Sequence, residues 1–138
     1  MKMEQQILTV VQRPVVLVVD DDFDARLIYR HYLTVMGCQV YTASDGFIGV
    51  QLAKRRKPHV IVMDLAMPRL NGWAAMAELK QSPTTRDIPI IVLTAVPASG
   101  QDVRAAGCEG LLAKPCLPEL LWSEIRLLLG PQSRHPGN

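Results

Sequence analysis

The chain has 138 residues, 49% of them hydrophobic and 20% charged, with a formal net charge of +2. That length suits one domain able to bury roughly 68–70% of its unfolded surface. A near-neutral balance with 5% aromatics carries no electrostatic footprint for nucleic acid, and no apolar stretch approaches the ~20 residues needed to cross a bilayer.

The start, Met1-Lys2-Met3-Glu4-Gln5-Gln6, leads into a brief apolar run without a small-residue cleavage site, so it does not read as a signal peptide. Cys38, Cys108 and Cys116 are odd in number and lack metal-ligand spacing, and His31, His59 and His135 are scattered. A reduced cytoplasmic protein is the simplest expectation.

Ile7 to Val11 is β-prone but precedes Gln12-Arg13-Pro14. An extra strand, an arm and a disordered leader all fit, and residues 1–13 read as an N-terminal arm. Val15 to Val19 is an uninterrupted apolar run, the pattern of a strand buried on both faces, and it ends in Asp20-Asp21-Asp22. Asp21 or Asp22 can cap the helix that follows, with Asp24 in its first turn. Ala25, Ile28, Tyr32 and Met36 recur there at helical spacing, with Leu33 beside them, and Gly37 is a natural stop. Gln39 to Ala43 alternates and suits an edge strand. Ser44-Asp45-Gly46 turns the chain into a helix from about Phe47 to Arg56, whose terminal Lys54-Arg55-Arg56-Lys57 complements the helix dipole.

Val60 to Met63 is a second buried strand, and it runs directly into Asp64 before Pro68 and Asn71-Gly72 break the chain. Trp73, Met76 and Leu79 mark a short helix, and residues 81–87 form a polar loop. Ile90 to Leu93 is a third buried strand, ending at Thr94 with Ala95 after it. Ser99 starts a brief helix that closes at Gly107. Gly110 to Ala113 is the last strand and delivers Lys114-Pro115. Pro118 opens a final helix to Leu129, and residues 130–138 read as a disordered tail. Strands alternating with helices imply an α/β domain over residues 14–129 with a doubly wound parallel sheet. The glycine-rich turn of a dinucleotide fold is missing after the first strand.

Asp20 and Asp21, Asp64, Thr94 and Lys114 all fall at carboxyl ends of strands, which share one edge of an open parallel sheet. Carboxylates brought together there repel one another and need a cation. All-oxygen ligands with few protein donors favour Mg²⁺. Metal and ammonium together would neutralise an incoming phosphoryl group, with Asp64 held as the attacking carboxylate.

Asp20-Asp21, Asp64 with Met67-Pro68 and Asn71-Gly72, Leu93-Thr94-Ala95, and Ala106-Gly107 through Lys114-Pro115 together resemble the receiver domain of two-component response regulators. The landmarks stand in order from about Pro14 to Leu129. The resemblance implies a flavodoxin-like sheet of order 2-1-3-4-5. It implies that Asp64 accepts a phosphoryl group from a sensor histidine kinase or a histidine phosphotransfer protein. Asp21 would ligate Mg²⁺ directly, Asp20 largely through water, and Asp64 and the Ala66 main-chain carbonyl would complete the protein ligands. Thr94, with Ala95 beside it, and Lys114 match the switch hydroxyl and the phosphate-binding lysine, and the Lys114–Pro115 bond is expected cis.

Leu111 departs from the family's usual Tyr or Phe at the switch position. Ala66 and Val96 are small or apolar where the family governs access of water to the acyl phosphate, so slow autodephosphorylation is expected. No output domain is legible after Leu129, which predicts a stand-alone receiver that signals through a changed surface. The final helix is apolar over more than half its circumference, wider than docking on a sheet requires. Leu111, Leu117, Leu121, Trp122 and Ile125 are therefore expected to form a partner or homodimer face through the last strand and last helix.

Two other readings compete. A degenerate receiver would bind partners without phosphorylation, which the atypical Leu111 would suit. A phosphatase of the haloacid dehalogenase type would place its nucleophile within Asp20-Asp21-Asp22, but Asp24 stands where that family carries Thr or Val.

Overall fold

In the computed structural model, which describes residues 13–67, 69–95 and 100–130, the three uninterrupted apolar runs become the centre of a sheet. Strands β1 (Val15–Val19), β3 (Val60–Met63) and β4 (Ile90–Thr94) are flanked by β2 (Gln39–Ala43) and β5 (Gly110–Ala113). The order is β2-β1-β3-β4-β5, and every pairing is parallel. Continuous hydrophobicity is required because both faces of the central strands are covered. All residues of β3 and β4 are buried, whereas edge strand β2 is half-buried along most of its length. The expected arm, apart from Arg13, and the tail after Gly130 lie outside the described residues, as does Ser99.

Helices α1 (Phe23–Val35), α2 (Gly46–Arg56), α3 (Gly72–Gln81), α4 (Gly100–Ala105) and α5 (Pro118–Leu129) link the strands. Side-chain caps start three of them. Asp22 Oδ1 accepts from the Asp24 amide, Asp45 Oδ1 from the Ile48 amide and Asn71 Oδ1 from the Ala74 amide. Helix α5 has no side-chain cap and starts instead with Pro118.

Two clusters of buried side chains fill the two sides of the sheet. One joins Leu17, Ile61, Met63 and Val92 to α2 and α3; the other joins Val16, Val62, Ile91 and Leu93 to α1 and α5. In α5 the inward stripe is Leu121 and Ile125, both fully buried. Truncating either to Ala would cost about 2–5 kcal/mol. At the amino end of the sheet, Lys80 Nζ donates to the Arg86 and Ile88 carbonyls and pairs with Glu109, whose Oε1 accepts from the Ile90 amide. That cluster ties α3 to the strand that carries Thr94.

The expected apolar face of α1 is corrected by the structure. Tyr29 and Leu33 are its buried residues, Ala25 and Tyr32 are half-buried, and Ile28 and Met36 are exposed. The helix is turned by about one residue, because the phenol of Tyr29 finds a buried partner and can enter the core.

Candidate functional site

The carboxyl edge of the sheet assembles the site. Ladder bonds continue past the strand ends: the Asp20 amide donates to the Ala43 carbonyl, the Asp64 amide to Val19 and the Lys114 amide to Thr94, each at 3.0 Å. Backbone pairing therefore fixes the two acids on adjacent strand ends and Lys114 on the same edge beyond Thr94, although Asp20 and Lys114 are 94 residues apart. Asp20, Asp64 and Thr94 are buried, and Asp21 is exposed.

Lys114 bridges the acids, with Nζ 2.7 Å from Asp20 Oδ2 and 3.4 Å from Asp64 Oδ2. Asp20 Oδ1 accepts from the Asp22 amide at 2.9 Å, and Asp64 Oδ1 from the Ala66 amide at 3.2 Å. Burial pushes the Asp64 carboxyl up, Lys114 pulls it down and Asp20 pushes it up, for a net rise. Burial alone would lower the Lys114 ammonium, but the Asp20 hydrogen bond and the two carboxylates outweigh it and hold it above its ordinary value.

One carboxylate oxygen from each of Asp20, Asp21 and Asp64 lies within 4.8 Å of the other two. Three hard oxygen donors, two buried and one open to solvent, suit a small dication that keeps some of its water. The residues present therefore fit Mg²⁺.

The loop after Asp64 leaves no slack. The Gly72 amide donates to the Leu65 carbonyl at 2.9 Å, and a Cβ on Gly72 would collide with the Asp64 carbonyl. The loop is also held from α2. The Gly46 amide donates to the Leu70 carbonyl, and Arg69, at φ 64°, pairs with buried Asp45 at 3.1 Å while lying over the Phe47 ring. Pro68 lies outside the described residues.

The response regulator receiver domain model matches residues 16–126. The chain belongs to that family. Its relatives include a probable transcriptional regulator, ycf27, of Porphyridium aerugineum, 33% identical over 120 residues that make up 86% of this chain and 49% of that protein. The response regulator PleD of Caulobacter vibrioides is 34% identical over 116 residues, 82% of this receiver and 25% of PleD. The receiver thus spans half or less of these curated relatives. Among solved structures it is similar to chemotaxis response regulator CheY4 of Vibrio cholerae, with TM-score 0.79 and 30% identity over 85% of this chain and 99% of that one. It is also similar to the receiver domain of a sensor histidine kinase from Pseudomonas aeruginosa, with TM-score 0.78 and 29% identity over 86% and 99%. That structure carries a magnesium ion coordinated in its active-site cleft.

The receiver brings Asp20, Asp21, Asp64, Thr94 and Lys114 to one edge, with Ala66 and Ala95 exposed beside them. The Lys114–Pro115 peptide is cis. Leu111 is half-buried against the α2–α3 core. The expected interface set is divided, which corrects it in part. Leu121 and Ile125 are core residues unavailable to a partner, Trp122 is half-buried, and Leu117 is 71% exposed. The wide apolar circumference of α5 arises because one stripe packs on the sheet while Leu117, Leu120 and Leu127 face outward.

Sequence reasoning missed two side chains at the site. Arg26 donates from Nη1 to the Asp20 carbonyl at 2.7 Å, and Tyr29 donates to the Cys116 carbonyl at 2.7 Å. For Arg26, its place one turn into the helix that follows the acids was the available signal. For Tyr29 it was the i, i+4 pair with Leu33.

Proposed function

We propose that this receiver accepts a phosphoryl group on Asp64 from a phosphohistidine of a sensor kinase or a histidine phosphotransfer protein, and signals by a phosphorylation-dependent change of its surface. One observation carries the reading: a buried carboxylate at the end of a central strand faces a second buried acid at the end of the adjacent strand and an ammonium that follows β5, one strand beyond β4.

In the reaction, an Asp64 oxygen forms a bond to phosphorus while the phosphorus–nitrogen bond breaks and its electron pair returns to the imidazole. The product is an acyl phosphate. Positioning and charge stabilisation supply the rate in such transfers. Asp20, Asp21, Asp64 and the Ala66 carbonyl would hold Mg²⁺, which supplies positive charge toward the phosphoryl oxygens. Lys114 moves its Asp64-side contact onto a phosphoryl oxygen and keeps its charge throughout. The Thr94 hydroxyl donates to another oxygen, drawing Ala95 toward the site. The chain then acts on its own acyl phosphate and turns over no separate substrate.

The deciding experiment incubates the protein with Mg²⁺ and acetyl phosphate and reads intact mass. Wild type is expected to gain one phosphoryl group, and Asp64→Asn none. A phosphoryl adduct on the Asn variant, or none on wild type, would reject the assignment.

A further inference from the structure

Lys114 stands at the head of a loop that has few local means of support. Its amide is paired to the Thr94 carbonyl, but beyond it come Pro115 and Pro118, which have no amide hydrogens to offer, and α5 begins without a side-chain cap. An open cleft of about 470 Å³ borders the loop along Pro115, Cys116, Leu117 and Pro118. The cleft side gives the loop little packing, whereas on the other side the Cys116 side chain is buried in the cluster with Leu121 and Ile125.

A direct polar tie to its main chain comes from α1. The Tyr29 hydroxyl, on a residue that is buried, donates to the Cys116 carbonyl at 2.7 Å across 87 residues of sequence. Burial raises the phenol above its ordinary value, so it remains a donor at neutral pH. We propose that Tyr29 is a positioning residue for Lys114: by anchoring Cys116 it holds the β5–α5 loop where the ammonium reaches both Asp20 and Asp64. The inference rests on the reading of Lys114 as the group that grips the phosphoryl oxygens. Loss of the phenol oxygen would leave the Cys116 carbonyl without this donor beside open space, and the loop would relax into the cleft. Asp20, Asp21 and Asp64 stand on other strand ends and would keep their places.

The test compares wild type, Tyr29→Phe and Leu33→Val, titrating each by calorimetry first with Mg²⁺ and then, at saturating Mg²⁺, with beryllofluoride as a phosphoryl mimic. Leu33→Val trims the core one turn further along α1 and controls for simple loss of stability. Tyr29→Phe is expected to bind beryllofluoride about 3- to 10-fold more weakly, the worth of one ordinary hydrogen bond. Its Mg²⁺ affinity should stay at the wild-type value, and Leu33→Val should match wild type in both titrations. Equal beryllofluoride affinity in Tyr29→Phe and wild type would overturn the assignment, as would a parallel loss of both affinities or an equal loss in Leu33→Val. A wild type that binds Mg²⁺ but no beryllofluoride would instead overturn the phosphoacceptor reading beneath it.

Discussion

The Lys114 ammonium sits 2.7 Å from the Asp20 carboxylate, closer than the 3.4 Å that separates it from Asp64. The amine thus leans on an acid assigned to the metal side and keeps a longer, weaker contact with the proposed phosphoacceptor. This leaves the Asp64 side of the amine able to exchange a carboxylate oxygen for a phosphoryl oxygen while the Asp20 side stays fixed.

Lys114→Met should therefore cost stability as well as function. Removing the amine leaves Asp20 and Asp64 facing each other with no cation between them, an expected loss of about 1.5–3 kcal/mol for a hydrogen bond to a charged group. Urea unfolding in metal-free buffer measures it. Added Mg²⁺ should recover part of the loss, because a bound cation restores the missing charge, and phosphorylation by acetyl phosphate should not return.

Asp64→Asn should behave in the opposite way. The folded state raises the Asp64 carboxyl above its unfolded value, chiefly through burial. The folded protein then binds this proton more tightly, so ionisation costs stability as pH rises through the carboxylate range. The cost is complete above the folded value and absent below the unfolded one. Asn carries no charge, so the variant should unfold at higher urea than wild type at pH 7 in metal-free buffer. The advantage should shrink as pH falls through the carboxylate range.

Mg²⁺ should stabilise the receiver against heat through the acidic cluster. At a concentration one hundred times the dissociation constant, mass action gives about 2.7 kcal/mol. Asp21 is exposed, so Asp21→Asn should leave the metal-free melting temperature near wild type while removing most of the Mg²⁺-dependent rise. A full rise in Asp21→Asn would take Asp21 out of the ligand set.

Gly72→Ala tests the loop behind the phosphoacceptor. A methyl there meets the Asp64 carbonyl and the Leu65 Cα, backbone atoms that cannot turn aside. The expected loss is about 1–3 kcal/mol, and Asp64 itself should shift. Slower acetyl phosphate labelling should accompany the lower melting temperature.

Ala66 is exposed beside Asp64 and offers a methyl where a polar chain could direct water. The acyl phosphate should persist well beyond seconds once the donor is removed, as followed by intact mass over time. Ala66→Asn should shorten its life.

The amino-acid order alone determined the strands of the sheet's centre, the helices between them and the list of reactive groups. β1, β3 and β4 are legible because a strand covered on both faces must be apolar throughout, and Asp20, Asp64, Thr94 and Lys114 stand out because each ends or follows such a run. The tertiary structure decided which side of each helix turns inward and which partners meet across long separations. Tyr29 rather than Ile28 enters the core because a carbonyl 87 residues away accepts its hydroxyl, and Leu121 and Ile125 are core rather than surface because α5 packs on the sheet along that stripe. Hydrophobic periodicity records how much of a helix is apolar, but a stripe wider than its seat leaves the seated residues to be chosen by the neighbours it packs against.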